Sequence, residues 1–145
     1  MALIGLNAKL YRNTGTYGSP TWDEVTNVRD LSTNLETGEA DGSTRGGGGW
    51  RQVLATLKDG TVEFEMVWSA GDTDFEAFRD AWLNGTLIDC WVLDGSSSTS
   101  GNQGLRAEFA VLNFTRNEPL EDVVTASVTI RPGISSNAPA WDEVA

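Results

Sequence analysis

Residues 61–68, TVEFEMVW, place Val62, Phe64, Met66 and Trp68 on one side of an extended chain and Thr61, Glu63 and Glu65 on the other. A period of two fits a strand with one buried and one wet face, and it does not fit a helix. The alternation returns in 121–131, EDVVTASVTIR, with Val124, Ala126, Val128 and Ile130 opposite Thr125, Ser127, Thr129 and Arg131. It returns again in 30–36, where Leu31, Thr33 and Leu35 oppose Asp30, Ser32, Asn34 and Glu36. Residues 2–11 alternate as well and read as a first strand rather than a signal peptide, with no basic region ahead of the short apolar stretch. Residues 86–93 and 105–116 carry apolar groups on both faces for part of their length, as strands buried between layers do. Lys58-Asp59-Gly60 predicts a turn joining a strand at 50–57 to one at 61–69, because Asp-Gly between β runs favours a tight hairpin.

One helix interrupts the strands. Thr73-Asp74-Phe75-Glu76 has capping-box spacing, with Thr73 at the N-cap and Glu76 three residues on. Phe75, Phe78 and Trp82 form one apolar stripe for packing on a sheet, and Asn84-Gly85 is a fitting stop. The expected fold is mainly β: a β-sandwich or partial barrel of about seven strands with one packed α-helix. Residues 1–132 read as a single domain with a long loop at 37–49, and 133–145 as a C-terminal tail.

That loop contains DGSTRGGGGW, residues 41–50. Glycine loses more freedom on folding than any other residue, so four in a row suit a phosphate cradle, a passive hinge, or a loop ordered by something outside its own subunit. A phosphate loop is excluded, because Trp50 rather than Lys-Ser/Thr follows the run.

The chain has 21 acidic and 10 basic residues and a net charge of −11. Proteins that read nucleic acid need clustered Lys and Arg to neutralise phosphates, and here the ten bases are scattered. The acidity serves solubility or gives a surface that faces a polyanion without holding it. The 145 residues include no histidine, which removes Ser-His-Asp and Cys-His dyads and most zinc sites. Asp72 and Asp74 lack the later ligands of a calcium loop and read as helix-capping residues. Asp89 in LIDCWVLD reads as buried edge polarity or a subunit contact, and Cys90 as a small core hydrophobe. A lone cysteine forms no intrachain disulfide, which fits a reducing compartment or a protein that needs no staple. No catalytic residue, cofactor or metal is expected. Of the six tryptophans, Trp68, Trp82 and Trp91 fall in predicted core, leaving Trp22, Trp50 and Trp141 for subunit contacts or, alternatively, as sugar platforms of a carbohydrate-binding β-sandwich module.

The order of features resembles the tail tube protein (major tail protein) of long-tailed bacteriophages, related to gene transfer agent and type VI secretion tube subunits. The stretches that carry it are TWDEVTNVRDLSTNLETGEADGSTRGGGGW, TLKDGTVEFEMVW, DTDFEAFRDAWLNGTLIDCWVLD and LRAEFAVLNFTRNEPLEDVVTASVTIRP, nearly the whole chain. The resemblance implies a structural virion protein, made in the host cytoplasm, that self-assembles into hexameric rings stacked as a tube. DNA passes through that tube at ejection without specific binding. Implied partners are a tape measure protein and tail terminator and baseplate proteins; no membrane or small-molecule substrate is implied. The long loop would reach the next ring, disordered in the free subunit and ordered on docking, with Asp41 and Arg45 as charged anchors, Gly46, Gly47, Gly48 and Gly49 as the flexible run, and Trp50 as a hydrophobic foot. Asp30, Glu36, Glu63 and Glu65 are candidate lumen-facing acids, with the outer surface as the competing assignment. One echo lies outside the resemblance: Pro20-Thr21-Trp22-Asp23-Glu24-Val25 reappears as Pro139-Ala140-Trp141-Asp142-Glu143-Val144. It suggests that the C-terminal tail, through Trp141, occupies a groove on a neighbour.

Overall fold

The computed structural model describes residues 2–145. Eight strands and one helix follow in the order β1 (Lys9–Asn13), β2 (Trp22–Glu24), β3 (Val28–Asp41), β4 (Val53–Val67), α1 (Thr73–Asn84), β5 (Leu87–Leu93), β6 (Gln103–Asn117), β7 (Thr125–Pro132) and β8 (Ala140–Glu143). They form one antiparallel sheet in the spatial order β2-β1-β5-β6-β7-β4-β3, with β8 paired to the start of β6. Leu10 of β1 and Leu31 of β3 come from opposite ends of that order and meet the same core, so the sheet bends around it without closing. The expected mainly-β partial barrel with a packed helix is what the chain adopts.

The alternation predicted for 61–68 and 125–131 is realised residue by residue. Val62, Phe64, Met66, Ala126, Val128 and Ile130 are buried on one face, in register Val62↔Ile130, Phe64↔Val128 and Met66↔Ala126. Helix α1 lies on that face, with Phe78 edge-on to Phe64 at 5.2 Å and Phe75 tilted against Trp68 at 4.5 Å. Its N-cap is Asp72, one residue ahead of the expected Thr73: the Asp72 carboxylate accepts from the Asp74 N–H. The helix ends at Gly85, whose φ of 66° suits a residue without Cβ.

Four expectations are corrected. Asp59-Gly60 is no turn: β4 runs straight through it, because β3 stays paired from Leu31↔Phe64 to Asp41↔Val53 and a bulge opposite Gly38 absorbs the mismatch. The loop expected at 37–49 therefore begins only after Asp41, since 37–41 are strand. Trp82 does not belong to the buried stripe, which is Phe75, Phe78 and Ala81 with Asp74; Trp82 sits in the last helical turn and is 50% exposed. Residues 2–8 are not strand: β5 ends at Leu93 opposite Lys9, so no neighbour remains to pair them, and Gly5–Asn7 form a 3-10 turn with Leu3, Ile4 and Leu6 exposed.

Candidate functional site

The conspicuous feature is the outer half of the β3–β4 hairpin. β7 pairs with β4 only as far as Val62, so from there outward β3 is the sole partner of β4. The resulting two-stranded arm overhangs the sheet by about 30 Å at 3.3 Å per residue. Its base, at Leu35, Lys58, Asp59 and Gly60, borders Leu105, Pro132 and Trp141, but further out Val53, Leu54 and Leu57 are exposed, Leu57 at 84%. Val53 and Leu54 are consecutive and so point to opposite faces, and both faces of the arm present apolar side chains to water. An isolated two-stranded ribbon is at best marginally stable in water, and strands with apolar groups on both faces are normally buried between layers.

The glycine run forms the tip of the arm. Arg45–Gly47 make a 3-10 turn, and Gly48 and Gly49 take φ of 68° and 86°, where a side chain would be strained. Two of the four glycines are thereby explained by backbone conformation. The other two are not required by space: a Cβ on Gly47 would meet only the end of the exposed Gln52 side chain, at 3.1 Å, and one on Gly46 nothing nearer than 3.8 Å. Asp41 is an anchor of the tip, accepting from the Ser43 N–H at 2.9 Å, while the Ser43 hydroxyl accepts from Gln52 N–H at 2.8 Å. Hydrogen bonding from Ser43 holds the Asp41 carboxyl below its ordinary value. These bonds close the tip on itself within the single chain. Trp50, 77% exposed, projects from it with Arg45 and Arg51.

The second feature is the sheet face away from the helix. Asp30, Glu63 and Glu65 line one shallow depression with Ser32, Ser127 and Thr129. Glu36 continues the row, opposite Asp59 and hydrogen-bonded by Asn34 at 3.0 Å. All four candidate acids therefore share one polar face, crossed by the row Ser32–Glu63–Thr129–Asn113. Arg29 approaches Glu65 at 3.8 Å and Arg131 pairs with Asp59; the other acids of the face have no cationic partner among the described residues.

Of the remaining candidates, Trp22 and the C-terminal segment are placed differently from expectation, while Cys90 lies in the core and Asp89 is largely buried, as read from the sequence. Trp22 is not free: its ring lies 5.3 Å from that of Trp91, and the Arg106 guanidinium stacks over it and over Tyr17 at 4.8 and 3.9 Å. Asp89 is paired within its own chain with Arg106 at 2.8 Å and accepts from Asn13 at 2.9 Å. Cys90 is fully buried, and burial pushes its thiol well above the ordinary value, so it is no nucleophile. The C-terminal segment is not loose: it forms β8 on its own β6, with Trp141 opposite Leu105. The echo of two PxWDEV stretches thus has a structural counterpart, two short edge strands each followed by a valine anchored on the sheet: Val25 N–H donates to Leu10 C=O and Val144 N–H to Asn102 C=O. Trp141 donates to Gln103 Oε1 at 2.8 Å and lines a groove of about 410 Å³ with Leu35, Leu105, Pro132 and Pro139. The apolar pattern of VLATL and the cations Arg51 and Lys58 escaped sequence reading because the spurious Asp-Gly turn put 50–57 inside the sheet. No helix among the described residues is long and apolar enough to cross a membrane, and no cluster of three or more metal-ligating side chains occurs among them.

Residues 8–132 match a family model described as phage tail tube protein. The fold is similar to a chain in the virion of a native gene transfer agent particle, with TM-score 0.73 and 15% identity over 97% of this chain and 99% of that one. It is similar to a chain of the tail of the empty particle, solved with C6 symmetry, with TM-score 0.70 and 18% identity over 97% and 99%. It is also similar to the SPP1 tail tube, with TM-score 0.71 and 14% identity over 90% of this chain and 75% of that one. No curated protein matches the sequence.

Proposed function

This chain belongs to the phage tail tube protein family, and we propose that it is a structural virion subunit whose copies close into six-membered rings that stack into a hollow tube carrying DNA. The observation that carries this reading is the arm. A ribbon about 30 Å long whose outer part is apolar on both faces and exposed in its own chain is a part whose partner is another copy. The helix covers one face of β4 and the acids occupy the other, which supports an orientation with the helix outside and Asp30, Glu36, Glu63 and Glu65 toward the lumen. There they would repel phosphates and keep DNA from sticking to the wall. The C6 symmetry of the similar gene transfer agent tail supports six subunits per ring here. A role with no catalysis, and contacts with tape measure, terminator and baseplate proteins, belong to the same proposal. The sugar-binding reading is weaker, because of its three candidate platforms Trp22 is taken up against Trp91, and Trp50 and Trp141 stand apart at the tip and the base of the arm.

Negative-stain electron microscopy with light scattering across a concentration series tests the proposal. Rings or tubes with a central hole are the expected outcome. A chain that stays monomeric throughout, even when produced together with the other proteins of its own particle, would overturn it.

A further inference from the structure

The main path of the sheet runs β2-β1-β5-β6-β7-β4-β3, so β6 is its middle strand and β2 and β3 are its ends. The two ends roll toward one another around a shared core without pairing. The outward face of β6 and the seam between β1 and β3 therefore lie on opposite flanks of the subunit. A ring is built from head-to-tail contacts, each of which needs two different patches on two different flanks of the chain. Both of these flanks carry apolar side chains that the fold leaves in water.

On the β6 flank a bulge sets the patch. Val111 pairs with Ile130 and Asn113 with Thr129, which leaves Leu112 as the extra residue. Val111 and Phe114 keep to the core, and Leu112 turns outward, more than half exposed. Leu87 and Ala110 pair on the same outward face, since Ile88 and Phe109 beside them face the core. Leu87 reaches as far as Gly133, where an added Cβ would lie 2.3 Å from Leu87 Cδ2. Ile134 follows Gly133 and is fully exposed. The charged groups bordering the patch are occupied: Arg131 pairs with Asp59, Asp89 with Arg106, and Glu108 accepts from Asn137 at 2.7 Å.

On the seam flank the patch is the N-terminal turn. Asn7 N–H donates to Ile4 C=O at 3.0 Å and Ala8 N–H to Gly5 C=O at 3.1 Å, so Gly5–Asn7 hold a turn where no strand can pair. Gly5, Leu6 and Ala8 line a groove of about 560 Å³ against residues 28–31 of β3. Leu3, Ile4 and Leu6 project into water, Leu6 at 88%. Residues 2–8 contain no charged side chain, and Lys9, which follows, pairs with Glu24. Arg29 on the groove approaches Glu65, and Asp30 is the one acid lining it with no cationic partner among the described residues.

Resting on the tube reading above, we infer that neighbours within one ring are joined by the N-terminal turn of one copy, through Leu3, Ile4 and Leu6, seated on the Leu87, Ala110, Leu112 and Ile134 patch of the next. The occupant is a second copy because the two patches match in kind. Both are apolar, neither has a charged side chain of its own, and they lie on opposite flanks. Copies of a chain with net charge −11 repel wherever acids face one another. This pairing brings uncharged surfaces together and leaves Glu36, Glu63 and Glu65 on the face assigned to the lumen. The exposed side chains involved fall well short of the ~800 Å² per partner of a standard interface, so an isolated pair is weak. In a closed ring every copy makes the contact twice, and closure holds what one contact does not.

The test is substitution at these exposed positions in the full chain. Leu3→Asp with Leu6→Asp, and separately Leu112→Asp with Ile134→Asp, should each raise the concentration needed for rings or tubes about tenfold or more. Leu3→Asp and Leu6→Asp combined with Leu112→Lys and Ile134→Lys should assemble again. Thermal unfolding of each monomer should match the parent, which separates lost assembly from lost folding. In assembled tubes, Leu6→Cys with Leu112→Cys should cross-link on oxidation into a ladder that stops at the ring number, the buried Cys90 taking no part. If the parent forms tubes while either aspartate variant assembles as it does, or the two introduced thiols never join, this contact is wrong and the tube reading survives. A ladder that runs on past one ring overturns it too, since the contact would then lie along the tube. If the parent forms neither rings nor tubes, both fall.

Discussion

Single residues show how little freedom the core leaves. A Cβ on Gly104 would lie 1.5 Å from the Val92 carbonyl oxygen, in a strand whose own carbonyl accepts from the Trp91 indole at 3.3 Å. Gly104→Ala must separate β6 from β5 and should cost about 3 kcal/mol or more, read as a shift in urea midpoint. Asp89 and Arg106 are each almost buried, and Asp89→Ala leaves a desolvated guanidinium; the expected loss is about 3 kcal/mol, with Tyr17 and Trp22 loosened in near-ultraviolet circular dichroism. Asp74 gives a pH signature. Burial raises its carboxyl above the ordinary 3.8, against the pull of Arg12. The folded chain then holds this proton more tightly than the unfolded chain does. Its contribution is fully present below pH 3.8 and fades as pH rises through the higher folded value. The stability difference between the parent and Asp74→Asn should shrink over that window; a difference that grows with pH contradicts the assignment.

At the scale of elements, the arm and β8 behave oppositely. The arm contributes no core, so Leu54→Asp should leave monomer stability within about 0.5 kcal/mol of the parent and still block assembly. Amide exchange at 39–41 and 53–55 should be fast in the monomer and slow in the assembled form, because a lone ribbon opens readily. β8 pairs with β6 and lets Val144 pack on Tyr11, Trp91 and Leu93. Deleting 138–145 should therefore lower the unfolding midpoint of the monomer itself, which a tail docking only on neighbours would not do. The same contrast explains what could be read in advance. Strands covered on one face announced themselves by alternation, as Val62–Trp68 did, and the helix by its cap and aromatic stripe. The arm did not, because the faces of its outer part are buried by no part of its own chain, and a pattern that answers to another molecule looks irregular in one sequence.

The whole molecule is an acidic body with an exposed hairpin arm and one polar sheet face. If that face lines a lumen, tubes of the parent protein should exclude duplex DNA even at low salt. Tubes carrying Asp30→Asn, Glu63→Gln and Glu65→Gln should retain it, with retention lost as salt rises. DNA retained equally by both would place these acids elsewhere.

The sequence alone determined that this chain makes wet-and-dry strands around one capped helix, that it has no histidine and so no Ser-His-Asp or Cys-His dyad, and that its net charge is −11. These properties belong to residues near one another in the chain, or to totals. Tertiary structure decided that Asp59-Gly60 continues a strand, because the partner strand β3 stays paired across it. It decided that Trp22 is a core support while Trp50 is bare, and that Asp30, Glu36, Glu63 and Glu65 share a face. Each depends on which distant segments pair and in what register, and local sequence carries little of that information because pairing energy is gained only once the strands meet.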